Sequence, residues 1–312
     1  MPTTEHPYAA PDGILIGHLT PGTAAWDEAR TGLTVTATEI AAILGLSPWQ
    51  SRFSLWHKKA GLPTAPFEMT PAVEWGNRLE DPVAQKWEDE HPGQLAAPAG
   101  TWRHRDREWQ RATPDRLVYP QPTDPFTVPH EANGLLEVKT SPTGDGWGPT
   151  GSDEFPIYYR CQVQWQMDTL GLPWTKFAVL IGGCDYREYH VDYDEADATL
   201  MREAALTFLH DVRHGIRPAI DDSTATYQTV RAQAEGRDDI DVEIPAELAD
   251  RYLAAVRDEK TAEAHKRQAA AEVLDRIGTG YRAVHGDRRI AYRTVRDGHT
   301  HSLTPYQQKD AA

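Results

Sequence analysis

Pro114-Asp115 and, 22 residues after that acid, Glu137-Val138-Lys139 are the parts of this 312-residue chain with the clearest capacity for chemistry. Alternate residues of a strand face the same way, so Glu137 and Lys139 project together. If the Asp115 turn packs beside that strand, two carboxylates and one ammonium meet at one point. Hard carboxylate oxygens suit Mg²⁺ or Mn²⁺ and leave room for water and a phosphate oxygen. A lysine beside them can orient or deprotonate the attacking water while the metal stabilises the developing charge. Those are the components of phosphodiester hydrolysis. The plainer alternative is that Asp after Pro is turn chemistry and Glu-x-Lys a solvated face. The apolar neighbours Leu135, Leu136 and Val138 argue against it, because a buried strand carries a Glu and a Lys only for a reason.

The elements that must position these groups are legible in outline. Thr36-Ala-Thr-Glu39 has the form of a capping box ahead of Ile40, Ile43 and Leu44, with Gly45 as the stop. Ser51 to Ala60 reads as a short helix with Phe53, Leu55 and Trp56 inward. Ala72 to Glu90 reads as a longer one, with Trp75, Leu79, Val83 and Trp87 four apart and Pro82 predicting a kink or restart. Short strands are expected at 101–104, 108–112, 116–119 and 134–139, then a Gly- and Pro-rich loop at 141–155 long enough to act as a flap. A helix from Ile157 to Leu170, strands at 174–181 and 187–191, and a helix from Glu195 to His214 complete a mixed α/β (α+β) core. The expected divisions are an irregular leader (1–25), the core (26–220), an acidic linker (221–245), and a long helix with a basic β-like end (246–312).

Composition narrows the function classes. The formal charge is −15, from 32 basic and 47 acidic residues, which disfavours coating nucleic acid over the whole surface. Residues 221–250 alone hold nine acids against two arginines, so a local basic cleft stays compatible with that balance. Two cysteines, Cys161 and Cys184, are too few for a disulfide framework, a four-cysteine zinc site or an iron–sulfur cluster. With no secretory signal and no apolar run near the roughly 20 residues a bilayer needs, a cytoplasmic protein with no membrane association is expected. His57, His91, His104, His130 and His190 form no close ligand pair, which disfavours a zinc hydrolase. A nucleotide-binding phosphate loop and a Gly-x-Ser-x-Gly elbow are both missing.

The blocks Trp26…Arg30, Thr36-Ala-Thr-Glu39, Leu44-Gly-Leu-Ser-Pro-Trp49, Leu55-Trp56-His-Lys58, Trp75-Gly76…Leu79-Glu80, Thr113-Pro-Asp115, Leu136-Glu-Val-Lys139 and Gln162-Val-Gln164…Met167, in that order, resemble the YqaJ-type viral recombinases. These are phage alkaline exonucleases of the lambda exonuclease type, within the PD-(D/E)XK nuclease superfamily. The resemblance covers about residues 26–220. It implies a restriction-endonuclease-like core, a central mixed β-sheet flanked by helices. It implies Asp115 and Glu137 as metal carboxylates with Glu80 near a second ion, two Mg²⁺ ions in all with Mn²⁺ as a substitute. Lys139 becomes the catalytic lysine and Gln162 an active-site glutamine, while Arg30 and Thr38 match a pocket for a 5′-terminal phosphate. A helix N-terminus at Thr38 suits an anion, although Thr36 and Thr38 also serve as plain caps. Arg116 stands where the family usually has glycine, and it is placed to reach a phosphate. Trp147, in the Gly-rich loop, is the expected DNA-facing wedge, whereas Trp49 and Trp56 are expected in the core.

The resemblance further implies 5′→3′ digestion of linear double-stranded DNA to 3′ overhangs. It implies a single-strand annealing protein as partner and a homotrimer as assembly. A superfamily endonuclease acting in restriction or on branched DNA, and a non-catalytic DNA-end-binding scaffold, are the rival readings.

Overall fold

The computed structural model describes residues 10–121 and 131–306; His130, most of the Pro-rich stretch at 120–130 and the first nine residues lie outside the described residues. The chain divides into two compact units, Met1–Gly236 and Arg237–Ala312.

The first unit begins with strand β1 (Gly13–Gly17), helix α1 (Ala24–Arg30), β2 (Val35–Thr36), α2 (Ile40–Ile43), α3 (Arg52–Lys59) and α4 (Pro71–Glu90). Strands β3 (Gln94–Pro98), β4 (Thr101–His104), β5 (Gln110–Ala112), β6 (Arg116–Pro120) and β7 (Gly134–Ser141) follow. Then come α5 (Ile157–Leu170), β8 (Trp174–Ile181), β9 (Asp185–Asp192), α6 (Glu195–Arg213) and α7 (Thr224–Ala232). The expected central mixed sheet is present, in the order β3-β6-β7-β8-β9, with β7 and β8 parallel and the other pairs antiparallel.

Both faces of this sheet are covered, which is why β7 reads as a nearly continuous apolar run. Leu136 and Val138 pack with Val83, Ala84 and Trp87 of α4 on one face. Leu135 packs with Val163 and Met167 of α5 on the other. By the two-residue period, Glu137 and Lys139 also face α5. At the start of β7 a side chain on Gly134 would meet the Trp174 indole at 2.3 Å, so only glycine lets β8 approach there.

A second sheet, β1-β4-β5-β2, carries the chain toward Asp115. Its edge corrects the expectation of an irregular leader: β1 lies within residues 1–25 and pairs antiparallel with β4. The Ile14-Leu-Ile16 run supplies the extended propensity that the flanking glycines concealed. Three further differences have physical causes. Helix α4 runs through Pro82 without a break, because the freed carbonyl lies in its half-exposed stretch and the downstream residues Val83 and Trp87 anchor it in the core. Strand β3 was not expected from Gln94-Leu-Ala-Ala-Pro98, whose alanines carry little strand propensity; pairing with β6 forms it. The acidic linker contains α7, capped by Ser223 and fastened where the Thr226 and Ser51 hydroxyls meet at 2.7 Å.

The second unit is α8 (Ala246–Ile277) and an antiparallel meander of β10 (Arg282–His285), β11 (Arg288–Arg296) and β12 (His299–Pro305). Among the described residues no helix is long and apolar enough to cross a membrane.

Candidate active site

Asp115 sits immediately before β6, and its side chain extends the sheet ladder. Arg116 pairs with Leu136 as the last backbone rung, and two residues beyond Leu136 the Val138 N–H donates to Asp115 Oδ2 at 2.7 Å. Glu137 is 1% exposed and surrounded by donors. Lys139 Nζ donates to Oε1 at 2.6 Å, Gln162 Nε2 donates to the same oxygen, and Gln166 Nε2 donates to Oε2 at 3.0 Å. Both glutamines come from one face of α5, four residues apart. Lys139 Nζ also lies 4.9 Å from the centroid of the Tyr159 ring.

The electrostatics follow from that crowding. Burial, and then the neighbouring Glu137 carboxylate, push the Asp115 pKa well above the ordinary carboxylate range. Burial opposes the charge on Lys139, but Glu137 and Asp115 together outweigh it and its pKa is raised. Two acids forced together with one ammonium are short of positive charge. Beside them the Gln166 Oε1 is buried without a hydrogen-bond partner. Two hard carboxylates, one with raised proton affinity, and an orphaned amide oxygen fit a divalent cation.

The cleft over these groups has a volume of about 750 Å³ and is lined by Glu80, Asp115, Lys139, Tyr158, Tyr159 and Trp49, among others. A cavity of similar size, about 760 Å³, contains Asp168, Arg107, Tyr193 and Arg202. There Asp168 accepts from Arg107, Gln110, Tyr193 and Arg202, so that carboxylate is fully engaged by its neighbours.

Asp115, Glu137, Lys139 and Gln162 therefore converge. Two expected site residues, Arg116 and Trp147, are placed differently. Arg116 is buried and donates to Glu80 Oε1 at 2.6 Å, to the Asp115 carbonyl at 2.7 Å and to Asp81, so its guanidinium is spent inside the protein and does not offer itself to a phosphate. Glu80 lines the same cleft but is engaged by Arg116. Among the described residues no group of three or more His, Cys, Asp or Glu is arranged to hold a metal. Trp147 is 7% exposed and packs on Tyr159, Phe177 and Tyr189, while Arg187 and the Tyr189 hydroxyl bind the Trp147 and Gly148 carbonyls. The loop is pinned to the sheet, and the tryptophan is core, not wedge. Trp49, expected in the core, is 65% exposed at the cleft, edge-to-face with Tyr158 at 4.8 Å between ring centroids; Trp56 is buried as expected.

Arg30 and Thr38 are brought together at a turn: Arg30 Nη2 donates to Thr38 Oγ1 at 3.0 Å and lies 3.5 Å from Thr36 Oγ1. The helix that follows is only the four residues of α2, and half of the capping box forms, with Glu39 accepting the Thr36 N–H at 3.0 Å. Gln166 was missed as a site residue, although the Gln162-x-x-x-Gln166 spacing signals it. His210 and His214 also form a close pair, with ring centroids 4.2 Å apart on α6.

Residues 25–173 match the YqaJ-like viral recombinase domain. A curated relative, the uncharacterized protein YqaJ of Bacillus subtilis (strain 168), is 28% identical over 221 residues, covering 69% of this chain and 65% of that protein, so the chain spans just under two thirds of its length. The alkaline exonuclease LHK-Exo of Laribacter hongkongensis is similar in structure with a TM-score of 0.46 at 20% identity, over 62% of this chain and 94% of that one. A phage-related exonuclease of Haemophilus somnus 129PT gives a TM-score of 0.44 at 13% identity, over 59% and 95%. The matched stretch contains Arg30, Thr38, Glu80, Asp115, Glu137, Lys139 and Gln162.

Proposed function

We propose that this chain is a divalent-metal-dependent deoxyribonuclease that degrades linear double-stranded DNA from its ends, 5′→3′, leaving 3′ overhangs for a single-strand annealing partner. The observation that carries the reading is the convergence of Asp115 and Lys139 at one cleft with Glu137 buried against Lys139, within the stretch that matches the YqaJ-like viral recombinase domain. Asp115 and Glu137 hold the cation, Mg²⁺ or Mn²⁺; when bound, it supplies positive charge to the reacting phosphate and acidifies water. Lys139 lies within reach of the same point and orients water or a phosphate oxygen. Gln162 and Gln166 fix the rotamer of Glu137, so that one carboxylate face is aimed without searching. Arg30 and Thr38 receive the terminal phosphate, which makes the reading one of an exonuclease.

An endonuclease of the same superfamily would share the acid pair, and the Arg30 turn is what favours end recognition. The test is cleavage of end-labelled linear duplex with a 5′-phosphate or a 5′-hydroxyl, beside a supercoiled circle, with Mg²⁺ and with chelator. Faster loss of the phosphorylated linear substrate, with the circle intact and no cleavage in chelator, is expected. Nicking of the circle would favour the endonuclease, and binding without cleavage in Mg²⁺ would favour a scaffold.

A further inference from the structure

The turn bearing Thr36 and Thr38 conceals an ion pair. The Lys59 side chain is 1% exposed and reaches from the last turn of α3 to place its ammonium 2.9 Å from Glu39 Oε2. The same ammonium donates to the backbone carbonyl of Arg30 at 2.8 Å. The same Glu39 oxygen accepts the Thr36 N–H at 3.0 Å. One pair of charges thus grips three segments: the end of α1 through the Arg30 carbonyl, the turn through the Thr36 amide, and α3 through Lys59 itself.

A buried ammonium costs several kcal/mol in desolvation, and apolar side chains of similar volume often serve stability as well or better. Burial lowers the pKa of both Arg30 and Lys59, against the pull of Glu39. Lys59 is buried and Arg30 half-buried, and Glu39 faces both cations, with Asp27 a further acid near Arg30. The Arg30 guanidinium meets hydroxyls at Thr36 and Thr38 and stacks 4.5 Å over the Trp26 ring, a poised donor. The strand leading into the turn is tied to the acid pair. Thr36 pairs with Arg111 of β5, and four residues of chain, about 13 Å when extended, lead from Arg111 to Asp115.

We propose that Lys59 and Glu39 are positioning residues that hold Arg30 and the Thr36–Thr38 turn in register for the terminal phosphate of a DNA strand, without touching it. This rests on the reading of Arg30 and Thr38 as the phosphate contacts. The ion pair sets where the guanidinium begins, because the lysine fixes the Arg30 backbone, and where the hydroxyls stand, because Glu39 fixes the Thr36 backbone.

The measurement is the affinity of the full chain, in chelator so that no cleavage occurs, for one duplex with a 5′-phosphate and the same duplex with a 5′-hydroxyl, read by fluorescence anisotropy. Partial unfolding lowers both affinities alike, so their ratio reports positioning. The wild type prefers the phosphate, and Arg30→Gln removes the preference. Lys59→Met reduces it on the order of tenfold, and Lys59→Arg restores part of it. If Arg30→Gln keeps the preference, the phosphate pocket itself is wrong and the positioning role falls with it. If Arg30→Gln loses it and Lys59→Met keeps it, the pocket stands and the positioning role is overturned. Should Lys59→Met not fold, the Glu39→Gln/Lys59→Met double variant, which removes both buried charges, takes its place under the same two outcomes.

Discussion

Arg116 donates to Glu80 at 2.6 Å, so a guanidinium fixed to the first residue of β6 neutralises a carboxylate on α4 at the edge of the cleft. Arg116→Gln removes that neutralisation and leaves the Glu80 carboxylate beside Asp115 without its cation. Because Glu80 is partly and Asp81 almost fully solvated, the expected loss of stability is modest, about 1–2 kcal/mol, measured by urea unfolding without metal. Mg²⁺ is expected to recover more stability in this variant than in the wild type, since Glu80 is then free to meet a cation. Equal recovery would show that Glu80 stays out of reach even when released.

Asp115→Asn removes the charge while retaining an oxygen for the Val138 N–H. Cleavage is expected to fall by at least about 10³-fold, as it is for Lys139→Met. The metal-free Asp115→Asn protein should nevertheless melt no lower than the wild type, because a carboxylate crowded by Glu137 is removed. A variant that keeps its activity would show that the acid pair is not the reacting centre.

Metal and pH are coupled through Asp115. Its pKa in the folded, metal-free chain lies above that in the unfolded chain. The folded state therefore holds a proton that the unfolded state has released, and this contribution to stability drains away as pH rises from the ordinary carboxylate range through the raised value. A bound cation replaces the proton, so the rise in Tm on adding Mg²⁺ should grow with pH and be accompanied by proton release. Thermal melts across a pH series with and without Mg²⁺ check this. A metal-induced shift that is the same at every pH would contradict it.

Gln166→Leu takes one donor from Glu137 and removes the buried amide oxygen. An effect of roughly 10–100-fold on metal affinity is expected, read as a higher Mg²⁺ concentration at half-maximal cleavage with the fold intact. No change in that midpoint would make Gln166 a packing residue only.

The two tryptophans should behave oppositely. Trp147→Ala empties a site among Tyr159, Phe177 and Tyr189 and is expected to cost about 3–5 kcal/mol of stability. Trp49→Ala should leave the melting temperature nearly unchanged and weaken DNA binding, because its ring stands at the cleft mouth. Filter binding beside thermal melts separates the two.

Much of the site could be read from the chain because its spacing is local. Glu137 and Lys139 share a strand face, Gln162 and Gln166 share a helix face, and both periods are written in residue types. The boundaries of α5 and α8 were equally plain, the first from its glycine stop and the second from its unbroken run of helix formers. What escaped was decided by partners distant in sequence. The alanines of β3 became a strand only against β6, and α7 was hidden by the acids around it. Arg116 gave no sign that Glu80, 36 residues earlier, would claim it. Trp147 was misplaced for a related reason: glycines around an aromatic suggest exposure, but Arg187 and Tyr189 draw that loop onto the sheet.

Asp115 completes the edge of β7 with its own carboxylate, so the spacing between the two acids is inherited from strand registry and not from the loops around the cleft. A change that shears β7 by a single position would separate them while leaving every polar side chain in place. Gly134, three residues upstream of Glu137 and pressed against an indole, guards that registry, and a bare hydrogen atom there becomes as much a requirement of the chemistry as the acids themselves.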